Sequence, residues 1–124
     1  MVLGNLASVM GASDKIVALM KYKPDLVAGK EIIEGEINGS LEFRNVKFRY
    51  PSKPEVQVLK GVSLSVDNAK NRVVALCGTS GCGKSSIISL IQRFYDPEEG
   101  QIFFNGRDIT TLDPKWFHNH IAIV

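Results

Sequence analysis

Apolar and polar residues alternate along two neighbouring stretches in the middle of the chain. The stretch LEFRNVKFRY, residues 41–50, alternates with one slip at Asn45, and VLKGVSLSV, residues 58–66, alternates in the same way. A period of two is typical of strands with one buried and one solvated face. We therefore predict a pair of antiparallel strands here.

Two other stretches are apolar without alternation. Residues 73–77, VVALC, and the last four residues, IAIV, contain no charged side chain. A short continuous apolar run is typical of a strand that is buried on both faces. We expect one such strand over residues 73–77 and the beginning of another over residues 121–124.

Helical spacing of apolar residues occurs twice. Residues 6–20 carry an apolar face that predicts an amphipathic helix, and Pro24 is a natural stop after it. A second stripe follows a glycine-rich loop and consists of Ile87, Ile88, Leu90, Ile91 and Phe94. The second half of the chain therefore predicts the order strand, loop, helix, with the helix over residues 84–94.

Proline, glycine and interspersed charges mark the stretch between the first helix and the first strand. Such a composition is typical of a linker. We therefore divide the chain into an N-terminal helix with its linker, residues 1–40, and a domain that occupies residues 41–124.

Two local signals predict turns and caps in the last third of the chain. Asn105-Gly106 separates two short strand-like stretches and predicts a two-residue hairpin. Asp113 followed by Pro114 predicts the N-cap and first position of a short helix. His118 and His120, in or near that helix, are expected to be solvated side chains.

Composition and charge narrow the class of protein. The chain has 124 residues, of which 44% are hydrophobic and 23% charged, as in one globular domain. The net charge is +2 with the signs interleaved, which argues against a nucleic-acid partner. No apolar run reaches the roughly eighteen residues of a membrane-spanning helix. The spacing of Cys77 and Cys82 matches neither a zinc site nor a disulfide framework and favours a reducing compartment.

The loop GTSGCGKS, residues 78–85, matches the phosphate-binding pattern G-x-x-x-x-G-K-[ST]. Its glycines allow backbone conformations that a Cβ forbids and bring N–H groups close to phosphate oxygens. The helix that begins near Gly83 adds the positive end of its dipole. The predicted phosphate cradle consists of Gly78, Thr79, Ser80, Gly81, Cys82 and Gly83.

Three side chains extend this cradle. We expect Lys84 to bind the outer phosphates of a nucleotide, Ser85 to bind the Mg²⁺ ion that accompanies a nucleoside triphosphate, and Ser86 to donate to the innermost phosphate. The loop alone does not identify the nucleotide, since GTPases, kinases and transport ATPases share it.

The residues on both sides of the loop resemble the nucleotide-binding domain of ABC transporters, in particular of multidrug exporters. The resemblance is carried by FRNVKFRYPSKPEVQVLKGVSLSV before the loop and LIQRFYDPEEGQIFFNGRDIT after it, and it runs from about Gly39 to Val124. It implies an α/β fold of the P-loop NTPase type with an antiparallel β subdomain. It further implies that the N-terminal helix continues from a transmembrane domain.

The same resemblance implies a ligand and partners. The ligand is ATP with Mg²⁺, and Tyr50 stacks on the adenine ring; the alternative for Tyr50 is an ordinary aromatic residue at a strand end. The partners are a transmembrane domain and a second nucleotide-binding domain. The protein is then held at a membrane, with this part on the cytoplasmic or organelle-matrix side, and it serves ATP-driven export.

Several motifs of that family do not occur in the sequence: the aspartate and glutamate after a second apolar strand, the glutamine loop, the LSGGQ-like signature and the histidine switch. We therefore assign no catalytic residue. The chain is expected to be the first part of a nucleotide-binding domain, truncated before these motifs, that binds ATP without hydrolysing it.

Alternatives remain open. The chain could be a non-catalytic module that binds nucleotide or pairs with a partner, or a non-functional gene fragment. A GTPase is the chemical runner-up, but the guanine-reading pattern N-K-x-D does not occur in the sequence.

Overall fold

The computed structural model describes residues 14–22, 26–67 and 73–124, and its centre is a four-stranded sheet. The strands are β1 (Leu41–Arg49), β2 (Gln57–Val66), β3 (Glu99–Phe104) and β4 (Arg107–Asp108), in the spatial order β2-β1-β3-β4. Every neighbouring pair is antiparallel. The two strands that the alternation predicts are thus confirmed as β1 and β2.

Within the described residues, three helical segments accompany the sheet. Residues 14–21 form α1, Lys84–Ile91 form α2 and Pro114–His118 form α3. The side chains of α1 are exposed. Residues 6–13 of the first predicted helix, and Pro24 after it, lie outside the described residues.

The slip in the alternation at Asn45 is a β-bulge. Asn45 has a φ of 48°, and the pairing of β1 with β2 shifts between Phe43 and Val46. The extra residue lets Phe43 and Val46 both face the core, where both are buried. The backbone N–H of Asn45 donates to Ser63 Oγ at 2.9 Å.

The turn between β3 and β4 confirms the predicted hairpin. Asn105 has a φ of 52° and Gly106 a φ of 76°, the two positive values of a type I′ turn. Asn105 Oδ1 also accepts hydrogen bonds from the N–H groups of Asn38 and Gly39, each at 3.2 Å. The turn therefore holds the chain just ahead of β1 as well.

The short helix α3 begins as its cap residues predict. Asp113 Oδ1 accepts a hydrogen bond from the N–H of Trp116 at 2.8 Å, and Pro114 is the first helical residue. Phe117 is buried and meets Phe104 of β3 with ring centroids 5.4 Å apart. The cap and this aromatic contact fix α3 against the sheet.

One hydrophobic core joins the sheet to α2 and α3. Its members come from three strands, from both helices and from the segment between β4 and α3. They are Phe43, Val46, Phe48, Leu59, Ile87, Leu90, Ile102, Phe104, Ile109, Leu112 and Phe117. Because α2 packs on the sheet through this core, the position of its first turn is fixed relative to β1 and β2.

The strands predicted from the continuous apolar runs are wrong. Residues 73–77 and 121–124 belong to no strand, and Val73 is 89% exposed. A strand forms only when its backbone groups bond to a neighbouring strand. The sheet of the described residues does not extend to either stretch, so most of their apolar side chains are exposed.

The helix α2 is shorter than its apolar stripe predicts. It ends at Ile91, and Arg93 leaves helical geometry with a φ of 54°. Leu90 is buried as predicted, whereas Ile88 and Phe94 are exposed. The prediction is wrong for Phe94 because the left-handed residue before it turns the chain away from the helix axis.

The segment of residues 26–40 lies along the core. Glu31 forms a parallel bridge with Leu112, and Arg93 Nη2 donates to the carbonyl oxygen of Val27 at 2.7 Å. The segment also carries two isoleucines that pack against the core, Ile33 and Ile37. The division of the chain at residue 40 stays a prediction.

Candidate functional site

The glycine-rich loop of residues 78–83 leads directly into α2. Gly83 is the N-cap of α2 with a φ of 96°, and Gly81 has a φ of 81°. A Cβ added to Gly83 would lie 2.8 Å from Leu59 Cδ2 of β2. Glycine is therefore required at position 83 by the left-handed backbone and also by the close approach of the loop to β2.

The ammonium group of Lys84 folds back over this loop. Its Nζ donates to the carbonyl oxygens of Gly78 at 2.8 Å and Thr79 at 2.7 Å, and it lies 3.4 Å from Cys82 Sγ. Cys77 and Cys82 are both free and exposed. These contacts place the positive charge of Lys84 directly beside the backbone of the loop.

The first turn of α2 offers backbone donors that have no partner within the helix. Its first helical hydrogen bond runs from Ile87 N to Gly83 O at 3.1 Å, so the N–H groups of residues 83–86 have no intrahelical acceptor. None of the residues in this turn, all of them described, is acidic. The partial positive charge of a helix N-terminus and the charge of Lys84 together favour an anion here.

The two serines of this turn have different surroundings. Ser85 is exposed, whereas Ser86 is only 4% exposed. Ser86 Oγ lies 3.0 Å from the hydroxyl oxygen of Tyr50, a residue 36 positions earlier in the sequence. The structure thereby brings Tyr50, which directly follows β1, to the glycine loop.

Two aromatic neighbours orient the Tyr50 ring. Its centroid lies 4.9 Å from that of Phe48 at an interplanar angle of 75°, and 5.3 Å from that of Tyr95 at 89°. Edge-to-face contacts of this kind are favourable beyond simple burial. The half-buried ring of Tyr50 is therefore held from two sides.

A cavity of about 320 Å³ lies between Tyr50 and the loop. All the predicted site residues line it except Gly78, Thr79 and Cys82, which instead contact Lys84 Nζ. The lining residues are Tyr50, Val58, Ser80, Gly81, Gly83, Lys84, Ser85 and Ser86. Sequence reasoning missed Val58, because its only signal was membership of an alternating strand.

Two further cavities contain none of the predicted site residues. One of about 500 Å³ has Tyr22 and Phe94 in its wall, and one of about 250 Å³ has Arg93 and His118. The cavity at the loop is the best candidate site of the three, because only there do a cation, four hydroxyl groups and free helix N–H groups converge.

The histidines and the charged pairs lie outside the loop cavity. His118 and His120 are exposed as expected, and their ring nitrogens bond to the carbonyl oxygens of Gln92 at 2.9 Å and Trp116 at 2.7 Å. On the exposed face of β1, a hydrogen bond from Arg44 lowers the pKa of the Glu42 carboxyl and raises the pKa of the Arg44 guanidinium.

The described part of the chain contains neither a metal-binding cluster nor a membrane-spanning helix. Residues 14–22, 26–67 and 73–124 hold no group of three or more His, Cys, Asp or Glu side chains arranged to bind a metal. None of the helices in this part of the chain has the length and apolarity to cross a membrane.

Comparison with known proteins identifies the family. The sequence model of the protein family described as "ABC transporter" matches residues 59–124 of this chain. The chain therefore belongs to the ABC transporter family, and it corresponds to part of the ATP-binding domain of the exporters in that family.

The relatives include one protein of a mouse and one of a plant. The chain is 45% identical over 116 residues to ATP-binding cassette sub-family B member 5 of Mus musculus, with 92% of this chain and 9% of the relative covered. It is 40% identical over 115 residues to ABC transporter B family member 1 of Arabidopsis thaliana, with 91% and 9% covered. The chain thus spans less than a tenth of the length of these relatives.

A solved structure shares the fold. The structure of a bacterial Atm1-family ABC exporter with ATP bound superimposes with a TM-score of 0.71 at 29% sequence identity, and the match covers 95% of this chain and 20% of that chain. The antiparallel sheet and its helices are thus those of part of an ABC ATPase domain.

Proposed function

We propose that the loop cavity is the ATP site of an ABC exporter that couples ATP hydrolysis to the export of a substrate across a membrane. One observation carries the proposal: Tyr50 meets the first turn of α2, with its hydroxyl 3.0 Å from Ser86 Oγ. An aromatic face and an anion-binding helix terminus therefore border one cavity, as a nucleotide with a base and phosphates requires.

The phosphates bind at the loop. The N–H groups of residues 83–86 have no acceptor within the helix, Lys84 lines the same cavity, and no acidic side chain of the first helical turn opposes an anion there. Lys84 already has backbone acceptors at Gly78 and Thr79. These contacts keep its charge at the loop, so little rotamer entropy is lost when phosphates bind.

The residue proposed to bind Mg²⁺ is Ser85. Its side chain is exposed in the first turn of α2 and lines the same cavity as Lys84. Mg²⁺ in nucleotide sites typically has few protein ligands, with phosphate oxygens and water completing its shell, so a single hydroxyl is a suitable donor set. When bound, the ion neutralises charge on the phosphates.

The adenine ring stacks on Tyr50. Base stacking on an aromatic side chain contributes roughly 1–3 kcal/mol in single-strand nucleic-acid binders. The contacts with Phe48 and Tyr95 hold the Tyr50 ring at the cavity edge before a ligand arrives.

Hydrolysis requires groups that we do not assign to this chain. Catalysis of phosphoryl transfer rests on positioning and charge stabilisation, including a group that orients the attacking water. We propose that the remaining groups come from other segments and from a second nucleotide-binding domain. A transmembrane domain provides the route for the substrate, and the ATP site lies on the cytoplasmic or organelle-matrix side.

The proposal is tested by titrating the 124-residue chain with ATP and Mg²⁺ beside the variants Lys84→Ala and Lys60→Ala. A charged hydrogen bond contributes about 1.5–3 kcal/mol, so Lys84→Ala is expected to weaken binding on the order of 10- to 100-fold. Lys60 is an exposed lysine of β2 that does not line the cavity, and its removal is expected to leave the affinity unchanged. Equal affinities of the three proteins would refute the proposed site.

A further inference from the structure

The hydroxyl of Ser86 is a buried polar group with a specific partner. Ser86 and Arg93 are the two buried residues with polar or charged side chains in the described part of the chain. Buried polar groups are almost always hydrogen-bonded, and the partner of Ser86 is the Tyr50 hydroxyl at 3.0 Å. The contact joins the end of β1 to the third residue of α2.

The position of the Tyr50 hydroxyl is set from outside the loop. The backbone of Tyr50 continues from β1, whose last pair is Arg49 with Gln57 of β2. Its ring lies edge-to-face with Phe48 and with Tyr95. The sheet and these two rings, rather than the loop, therefore determine where the phenol oxygen lies.

The chemistry of phosphate decides the direction of the hydrogen bond in the bound state. An ionised phosphate oxygen only accepts, so Ser86 can bind it only by donating its single hydroxyl hydrogen. The lone pairs of Ser86 Oγ are then left to accept from another donor. The Tyr50 hydroxyl, at 3.0 Å from that oxygen, is such a donor.

We infer that Tyr50 is a positioning residue for the phosphate: its hydroxyl donates to Ser86 Oγ and turns the Ser86 hydrogen toward the innermost phosphate of the bound nucleotide. This inference rests on the proposed ATP site and extends it. Tyr50 then acts at two parts of the nucleotide: its ring face stacks on the base, and its hydroxyl orients the Ser86 hydroxyl that binds the phosphate. Bound phosphate in turn strengthens the Tyr50–Ser86 bond, because neighbouring hydrogen bonds polarise one another.

The test compares Tyr50→Phe, which keeps the ring, with Tyr22→Phe, which removes a phenol from an exposed position outside the loop cavity. The probes are ATP and inorganic tripolyphosphate, which has no base to stack. A neutral hydrogen bond contributes about 1 kcal/mol, so Tyr50→Phe is expected to lower the affinity for each probe about fivefold. Tyr22→Phe is expected to leave the affinity for both probes unchanged.

A double-mutant cycle separates positioning from a general structural role. In the background of Ser86→Ala, Tyr50→Phe is expected to have no further effect, whereas in the background of Ser86→Thr, which keeps a hydroxyl, the fivefold loss is expected to persist. A loss of the same size in the Ser86→Ala background would overturn the inference, because the hydroxyl would then act elsewhere.

Two other outcomes would also overturn it. Tighter binding by Tyr50→Phe would mean that the phenol competes with phosphate for Ser86, and unchanged binding would mean that the hydroxyl has no role. Failure of the proposed ATP site gives a different result, since the unaltered protein and Lys84→Ala would then bind both probes equally. Circular dichroism melting curves of each variant verify that the comparison is made between folded proteins.

Discussion

Gly83 and Leu59 are in contact across the junction of α2 and β2, so close that a Cβ on Gly83 would lie 2.8 Å from Leu59 Cδ2. Leu59 is buried in the core, so it has little room to move. The contact packs the glycine loop against β2 and thereby fixes the position of the first turn of α2.

This contact leads to a prediction about stability. Gly83→Ala should lower the melting temperature more than Gly35→Ala does. The two glycines have nearly the same φ, 96° and 97°, so both substitutions cost roughly 1–2 kcal/mol for the positive φ. Only Gly83 adds the clash, because nothing lies within 4 Å of a Cβ on Gly35. Equal shifts in thermal unfolding would contradict the close packing.

The β-bulge at Asn45 leads to a second prediction. Its φ of 48° is accessible to glycine and tolerated by asparagine, but it is strained for a β-branched residue. Asn45→Val should therefore destabilise the protein by about 1–2 kcal/mol, whereas Asn45→Gly should be nearly neutral. Urea unfolding of the two variants measures the difference, and a Val variant as stable as the Gly variant would show that the bulge does not form.

The pairing of Arg93 leads to a third prediction. The Arg93 side chain is 7% exposed and bonds to Asp96 as well as to the carbonyl oxygen of Val27. Arg93→Ala should cost about 2 kcal/mol, less than for a fully buried pair because Asp96 is partly solvated. The matched control is Arg44→Ala, whose pair with Glu42 is exposed to solvent and should therefore contribute less to stability.

Chemical denaturation of these two arginine variants gives the comparison directly. If both lose the same free energy of unfolding, the segment of residues 26–31 is not held by Arg93 as the structure describes.

The cap of α3 leads to a fourth prediction. Asp113 accepts a hydrogen bond from the N–H of Trp116 at 2.8 Å. Asp113→Ala should destabilise the protein by about 1 kcal/mol, and Asp113→Asn, which also caps, should recover most of that loss. The indole fluorescence of Trp116, the single tryptophan of the chain, reports the transition during unfolding.

The fifth prediction concerns catalysis. The 124-residue chain should bind ATP but release no phosphate from ATP with Mg²⁺ above the level of the Lys84→Ala variant, because we assign no group in it to orient a water. The variant serves as the control for contaminating ATPases. Turnover that this substitution abolishes would show that a catalytic group lies among these residues.

Local features of the fold could be predicted from the sequence because their causes lie within a few residues. Asn105-Gly106 is the residue pair that favours a type I′ turn, and both residues have the positive φ of that turn. The slip in the alternation at Asn45 is visible in the sequence and coincides with the bulge. Asp113 caps the helix that begins at the next residue by accepting a hydrogen bond from the N–H of Trp116, three residues later. The spacing of the glycine loop likewise predicts an anion site before any packing is known.

The tertiary structure decided the features that depend on a distant partner. Residues 73–77 are as apolar as a buried strand, yet they form none, because a strand exists only through its neighbours in a sheet. The contact of Tyr50 with Ser86 spans 36 positions and follows from the packing of α2 on β1 and β2. Composition and spacing depend on the order of residues along the chain, whereas hydrogen bonds and packing depend on their positions in space, so only the folded chain brings the Tyr50 hydroxyl to Ser86.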